Sequence, residues 1–126
     1  RACSRTVDGR ATSVSRMRTW PIRPDYLLLA GLMMALALAV QRVLRPAASG
    51  GLLLDVAPSL LYGAGMVYAV LSVRRWPDSY GWWVGVGALL YELLQPWIAG
   101  RTFDPGDVVA TIVGVVAAMH LRPTRS

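Results

Sequence analysis

The chain has 126 residues, 55% of them hydrophobic, with a mean hydropathy of +0.45 and a net charge of +6. That length allows one domain, and a soluble domain so small leaves too much surface exposed to hide this much apolar material. The positive charge is scattered between long apolar runs, which excludes a basic nucleic-acid face and points to a lipid surface as what it meets.

All thirteen basic residues are arginine, Cys3 is the lone cysteine and His120 the lone histidine. An internal disulfide, a cysteine metal cluster and a multi-histidine metal site are thereby excluded, and no cofactor is expected. Cys3 reads as a free thiol or as a lipidated cysteine near the membrane.

Residues 1–24 form a basic segment with six arginines against Asp8. Such an arginine-rich, acid-poor stretch is read as a cytoplasmic tail that fixes topology, with an organelle transit peptide as the other reading. Trp20 sits at the expected interface, and Pro21 and Pro24 set the entry of the first helix.

The rest of the chain, 25–126, is predicted to be an all-α bundle of four transmembrane helices. The first runs over 25–44, with Gly31, Ala35 and Ala39 as a small-residue stripe that lets another helix approach closely. Arg45 to Gly51 is predicted as a turn. The second helix runs over 56–73, with Asp55 near its start, Pro58 in its first turn, and Gly63, Gly65 and Ala69 thinning its packing surface. After the charged turn Arg74-Arg75-Trp76-Pro77-Asp78, the third helix runs over 80–99. The fourth runs over 105–121. Each span is near the ~20 residues a bilayer requires.

Arginine counts orient the bundle. With the N-terminus inside, ten arginines lie on the cytoplasmic side, and Arg42, Arg45 and Arg101 on the other. That bias places both termini in the cytoplasm, in what is expected to be a bacterial inner membrane.

Helix three carries Glu92 and Gln95 inside an apolar run, and an ionisable residue at such depth marks a functional site by default. Glu92 lies roughly 10 Å below the outer helix end at 1.5 Å per residue. Gly81, Gly85, Ala88, Glu92, Gln95 and Ala99 fall on one face, opposite Trp83, Leu90, Leu94 and Trp97. Helix four repeats the small-and-polar stripe with Asp107, Thr111, Gly114 and Ala118, so the two stripes are expected to pack on each other. The turn between them holds Arg101, Asp104 and Asp107. Asp104-Pro105-Gly106-Asp107 also reads as a helix start, with Asp104 as N-cap and Asp107 at N3. Arg101 reads equally as the salt-bridge partner that neutralises Glu92 or Asp104. Asp55 and Ser59 begin helix two on the same side. Asp55, Glu92, Gln95, Arg101, Asp104, Asp107 and Thr111 are therefore the candidate lining of an outward polar pocket.

The stretch Glu92-Leu93-Leu94-Gln95, with Arg101, Asp104, Asp107-Val108 and Gly114 after it and Asp55 before helix two, resembles the core motif of VanZ-like membrane proteins. The resemblance covers roughly residues 52–118. Thr111 stands where that family usually has asparagine, and Val56 and Ser59 where many members have lysine and histidine. The resemblance implies a fold and a site more than a reaction.

Two functions are expected from these features. The first is a non-catalytic accessory subunit of a larger photosynthetic or respiratory membrane complex, held to partner proteins through small-residue helix faces and the N-terminal tail. The other is an envelope protein whose outer pocket binds a lipid-linked or headgroup ligand, with Arg101 holding an anionic group and Glu92 or Asp107 handling hydroxyls or a proton. An enzyme acting on lipid intermediates would have carboxylates, Ser59 and Thr111 to work with, and is the least favoured reading. His120 reads as an interfacial residue, or less readily as a haem or chlorophyll ligand.

Overall fold

A computed structural model of the chain describes residues 21–48, 51–98 and 103–123. The basic tail up to residue 20, and with it the partner contact expected of it, lies outside the described residues. The fold is all-α, as expected. Among the described residues there is no strand, only an isolated antiparallel bridge between Ile22 and Val73.

Helix α1 spans Pro24–Ala47. Pro24 opens it, where a missing N–H costs nothing, and Asp25 faces the positive end of the helix dipole. The predicted turn at Arg45 is instead the last turn of this helix, Arg45–Ala47. The helix passes Pro46 by widening into a π turn over Val40–Leu44, in which the Arg45 N–H bonds the Val40 carbonyl. The proline ring would otherwise press on the carbonyl four residues back, so the wider turn keeps the helix going.

Helix α2, Leu52–Leu71, starts four residues earlier than the sequence predicts. Leu52 and Leu53 are exposed apolar residues that continue it outward, so Pro58 lies inside the helix rather than in its first turn. Its missing N–H leaves the Leu54 carbonyl without an intrahelical donor. Helix α3 is Tyr80–Ile98, with Pro96 in its last turn. Helix α4 is Pro105–His120.

Helix α2 is the hub of the bundle. It packs on α4 and α1 along much of its length and on α3 less extensively, α3 also packs on α4, and α1 and α3 share no packed face. Glycines set the closest approaches. Gly63 of α2 seats the backbone of Thr111, and Gly114 of α4 lies directly on the Leu60 carbonyl of α2. Gly81 and Gly85 of α3 receive Met119 and Val115 of α4. The small-residue stripe of α4 thus faces α2, not the stripe of α3 as expected. The larger side chains of α4 fill the notches of α3.

The buried core occupies one half of the bundle. Tyr26 and Ala30, then Ala64, Val67, Tyr68 and Leu71, then Val115, Ala118 and Met119 form a single cluster. Polar contacts close that end. Arg122 bonds Asp78 at 2.8 Å, Arg23 approaches the same carboxylate at 3.9 Å, and the Tyr68 hydroxyl donates to the Leu121 carbonyl at 3.2 Å. The Arg23 N–H donates to the Ser72 carbonyl at 2.7 Å.

The outward faces are apolar. Leu28, Leu53, Trp83, Trp97 and Ile98 are each more than two-thirds exposed, Leu53 and Trp97 at 81%. Two helices, Pro24–Ala47 and Leu52–Leu71, are long and apolar enough to cross a membrane. Helix α3 carries Glu92, Gln95 and Pro96, and α4 has only 16 residues.

Candidate functional site: a polar cavity at one end of the bundle

The other half of the bundle is hollow. All four helices line one cavity of about 560 Å³. Helix α1 contributes Gln41 and Arg45, one turn apart on its final stretch. Helix α2 contributes Asp55, Pro58, Ser59, Tyr62, Gly63 and Met66. Helix α3 adds Gly87, Ala88, Tyr91, Glu92 and Gln95, and α4 adds Asp107 and Thr111.

The polar groups sit toward the open end of the bundle and are tied to one another. Arg45 Nε donates to Asp55 Oδ1 at 3.1 Å, which links the end of α1 to the start of α2. Both side chains are about half exposed, so this pair contributes less than about 1 kcal/mol. Ser59 donates to Asp107 Oδ1 at 2.8 Å, a link between α2 and α4. Gln95 donates to Glu92 Oε2 at 2.6 Å within α3. Going deeper, the lining turns apolar, through Gly63 and Ala88 to Met66 and Gly87. From Asp55 to Met66 the cavity extends roughly 16 Å along α2 at 1.5 Å per residue.

Thr111 is the outlier. It is 2% exposed, and its hydroxyl has no hydrogen-bond partner. A helical threonine ordinarily bonds the carbonyl one turn back, and a buried hydroxyl left unmatched costs about 1–3 kcal/mol.

Of the residues singled out in the sequence, the cavity brings together Asp55, Glu92, Gln95, Asp107 and Thr111. Asp104 is not among its lining residues. Its carboxylate accepts the Gly106 N–H at 2.8 Å as the cap of α4. Arg101 lies outside the described residues. Sequence reasoning missed Arg45, Gln41, Tyr62 and Tyr91. Gln41 and Arg45 are four apart, as two residues on one helix face would be, but a helix predicted to stop at 44 hid that signal.

Three carboxylates and one guanidinium from the described residues make this a site for hydrogen bonding and charge. Among those residues no three His, Cys, Asp or Glu side chains converge as a metal site. His120 sits at the other end of the bundle, exposed, its Nδ1 donating to the Val116 carbonyl at 2.8 Å and its ring edge-on to Trp82. No family model matches the chain, and no curated protein or solved structure is significantly similar to it.

Proposed function

We propose that the chain is a VanZ-like integral membrane protein of four helices that binds, without catalysis, a headgroup-sized polar ligand in the cavity between them. The carrying observation is the inversion of polarity: the outward surface is apolar while carboxylates, amides and a guanidinium from all four helices line the interior. In water such exposed apolar area would drive aggregation, and in lipid it is the solvated face. Four of the cavity residues, Asp55, Glu92, Gln95 and Asp107, are among those that carry the VanZ-like resemblance. Among the described residues Arg23, Arg74, Arg75 and Arg122 lie at the Asp78 end, against Arg42 and Arg45 at the cavity end. This supports a cytoplasmic Asp78 end and a cavity that opens on the outer side of a bacterial inner membrane.

Gly87 gives a test. It lines the cavity, and a side chain built on it meets no atom within 4 Å. Gly87→Trp should therefore fill the cavity without disturbing the packed half. Native mass spectrometry of protein purified in mild detergent is expected to show a retained small molecule or lipid on the natural chain and none on Gly87→Trp. Equal retention on both contradicts a binding cavity.

A second reading is an accessory subunit of a larger membrane complex, and the face of α1 favours it. Gly31 meets no neighbour, and Ala35 and Ala39 are exposed beside it, so the small-residue stripe points outward. Such a stripe fits close contact with a helix of another chain. Stoichiometric co-migration with a large assembly on native gels supports this role, and migration alone or as a small homo-oligomer contradicts it.

A further inference from the structure

Helix α2, the hub of the bundle, is covered along its middle on every side but one. From Gly63 to Tyr68 each residue is buried except Met66, which is 40% exposed, and Ala69 beyond it is exposed as well. Tyr62, Met66 and Ala69 follow one another at steps of four and three, so they share one helix face. Tyr62 and Met66 line the cavity, which lies between α1 and α3, two helices that share no packed face. This face of α2 is therefore the floor of a groove that opens sideways between α1 and α3. On α3, Gly87 and Tyr91 line the same cavity and are exposed, and a side chain built on Gly87 meets no atom within 4 Å.

The cavity changes character along its length. Asp55, Ser59 and Asp107 line the open end, and Gly63, Met66 and Gly87 the deep end. From Asp55 to Met66 the run along α2 is roughly 16 Å, about half of the ~30 Å hydrocarbon core of a bilayer. A single leaflet has that depth and the same order of polarity, headgroups first and chains below. A soluble polar ligand would match the open end alone and leave the apolar floor without a complement. An acyl chain matches the floor by the same burial of apolar surface that packs any core.

We propose that the ligand is a membrane lipid whose polar head lies at the Asp55, Ser59 and Asp107 end and whose acyl chain runs down the groove between α1 and α3, over Met66 and past Gly87. This rests on the reading of the cavity as a ligand site in a membrane protein.

Delipidated full-length protein is mixed with dioleoyl phosphatidylglycerol and dioleoyl phosphatidylethanolamine, or with the chainless headgroups glycerol phosphate and phosphoethanolamine. Retention is read by native mass spectrometry. The natural chain is expected to retain one lipid and neither chainless headgroup. Gly87→Trp is expected to lower lipid retention at least tenfold. Met66→Gln places an amide on the groove floor without adding bulk, and is expected to lower it about fivefold. Gly31→Trp is the control: Gly31 is exposed and meets no atom within 4 Å, but it lies on α1 outside the cavity. It is expected to retain lipid as the natural chain does. Retention unchanged in both Gly87→Trp and Met66→Gln overturns the chain in the groove. An equal loss in Gly31→Trp overturns it too, because it places the lipid on the outer surface. Displacement of the lipid by either chainless headgroup at equal concentration overturns lipid capture and leaves a cavity for a soluble ligand. A small molecule other than lipid that stays on the purified natural chain and is lost from Gly87→Trp likewise overturns the lipid while the cavity stands.

Discussion

Asp78 and Asp107 are both acidic, both near a helix end, and opposite in setting. Asp78 sits between the guanidiniums of Arg23 and Arg122, and Arg122 also donates from Nε to the Met119 carbonyl at 2.7 Å. It therefore joins the entry to α1, the turn before α3 and the chain after α4. The carboxylate and the Arg122 side chain are each about a third exposed, so the ties are screened and modest. Asp78→Asn is expected to destabilise the protein by about 1 kcal/mol in low-salt detergent. Thermal unfolding measured again in molar salt is expected to shrink that difference. An equal loss in both conditions would show that the residue acts through packing instead. Among the described residues the Asp107 carboxylate accepts from the Ser59 hydroxyl and pairs with no guanidinium.

At the scale of the helices, glycine positions decide where the bundle is tight and where it is open. A side chain at Gly114 would collide with the Leu60 carbonyl, which is backbone and cannot rotate away, whereas Gly87 faces open space. Gly114→Val is expected to cost about 3 kcal/mol by overpacking, and Gly87→Ala close to nothing. Unfolding in detergent checks both, and equal effects would contradict the α2–α4 contact. The helices themselves were largely legible from the sequence, because apolar runs bounded by proline, glycine and arginine mark them. Their ends were not. Pro46 reads as a stop, and nothing local reveals that a π turn carries α1 past it. Pro58 reads as a first-turn proline until Leu52–Leu54 are seen to be helical. The spacing of Glu92, Gln95, Asp107 and Thr111 put those residues on inward faces. Asp104 was legible as a cap from the Asp-Pro pair. The partner of each stripe was not legible, since small-residue periodicity says that a face packs and not on which helix.

The whole molecule divides lengthwise into a packed half and a hollow half. The packed half holds the aromatic pair Tyr26 and Tyr68, the apolar cluster and the Asp78 ties, and it gives the bundle its rigidity. The hollow half holds the polar groups, and there α1 and α3 stay apart. A rigid base beneath an open chamber is a common layout for a binding site, because the first sets the geometry and the second admits the ligand.

The central claim is that this chamber is wet inside and surrounded by lipid outside. Ala88 and Leu90 test it, being two residues apart on α3 at nearly one depth, Ala88 lining the cavity and Leu90 half exposed outside it. With Cys3→Ser as background, Ala88→Cys and Leu90→Cys are treated with a membrane-impermeant maleimide in right-side-out and inverted vesicles. The account expects Ala88→Cys to label from the side bearing Arg45 only, and Leu90→Cys to label from neither. Equal labelling of both positions would contradict the membrane setting, and labelling of neither would contradict a water-filled cavity.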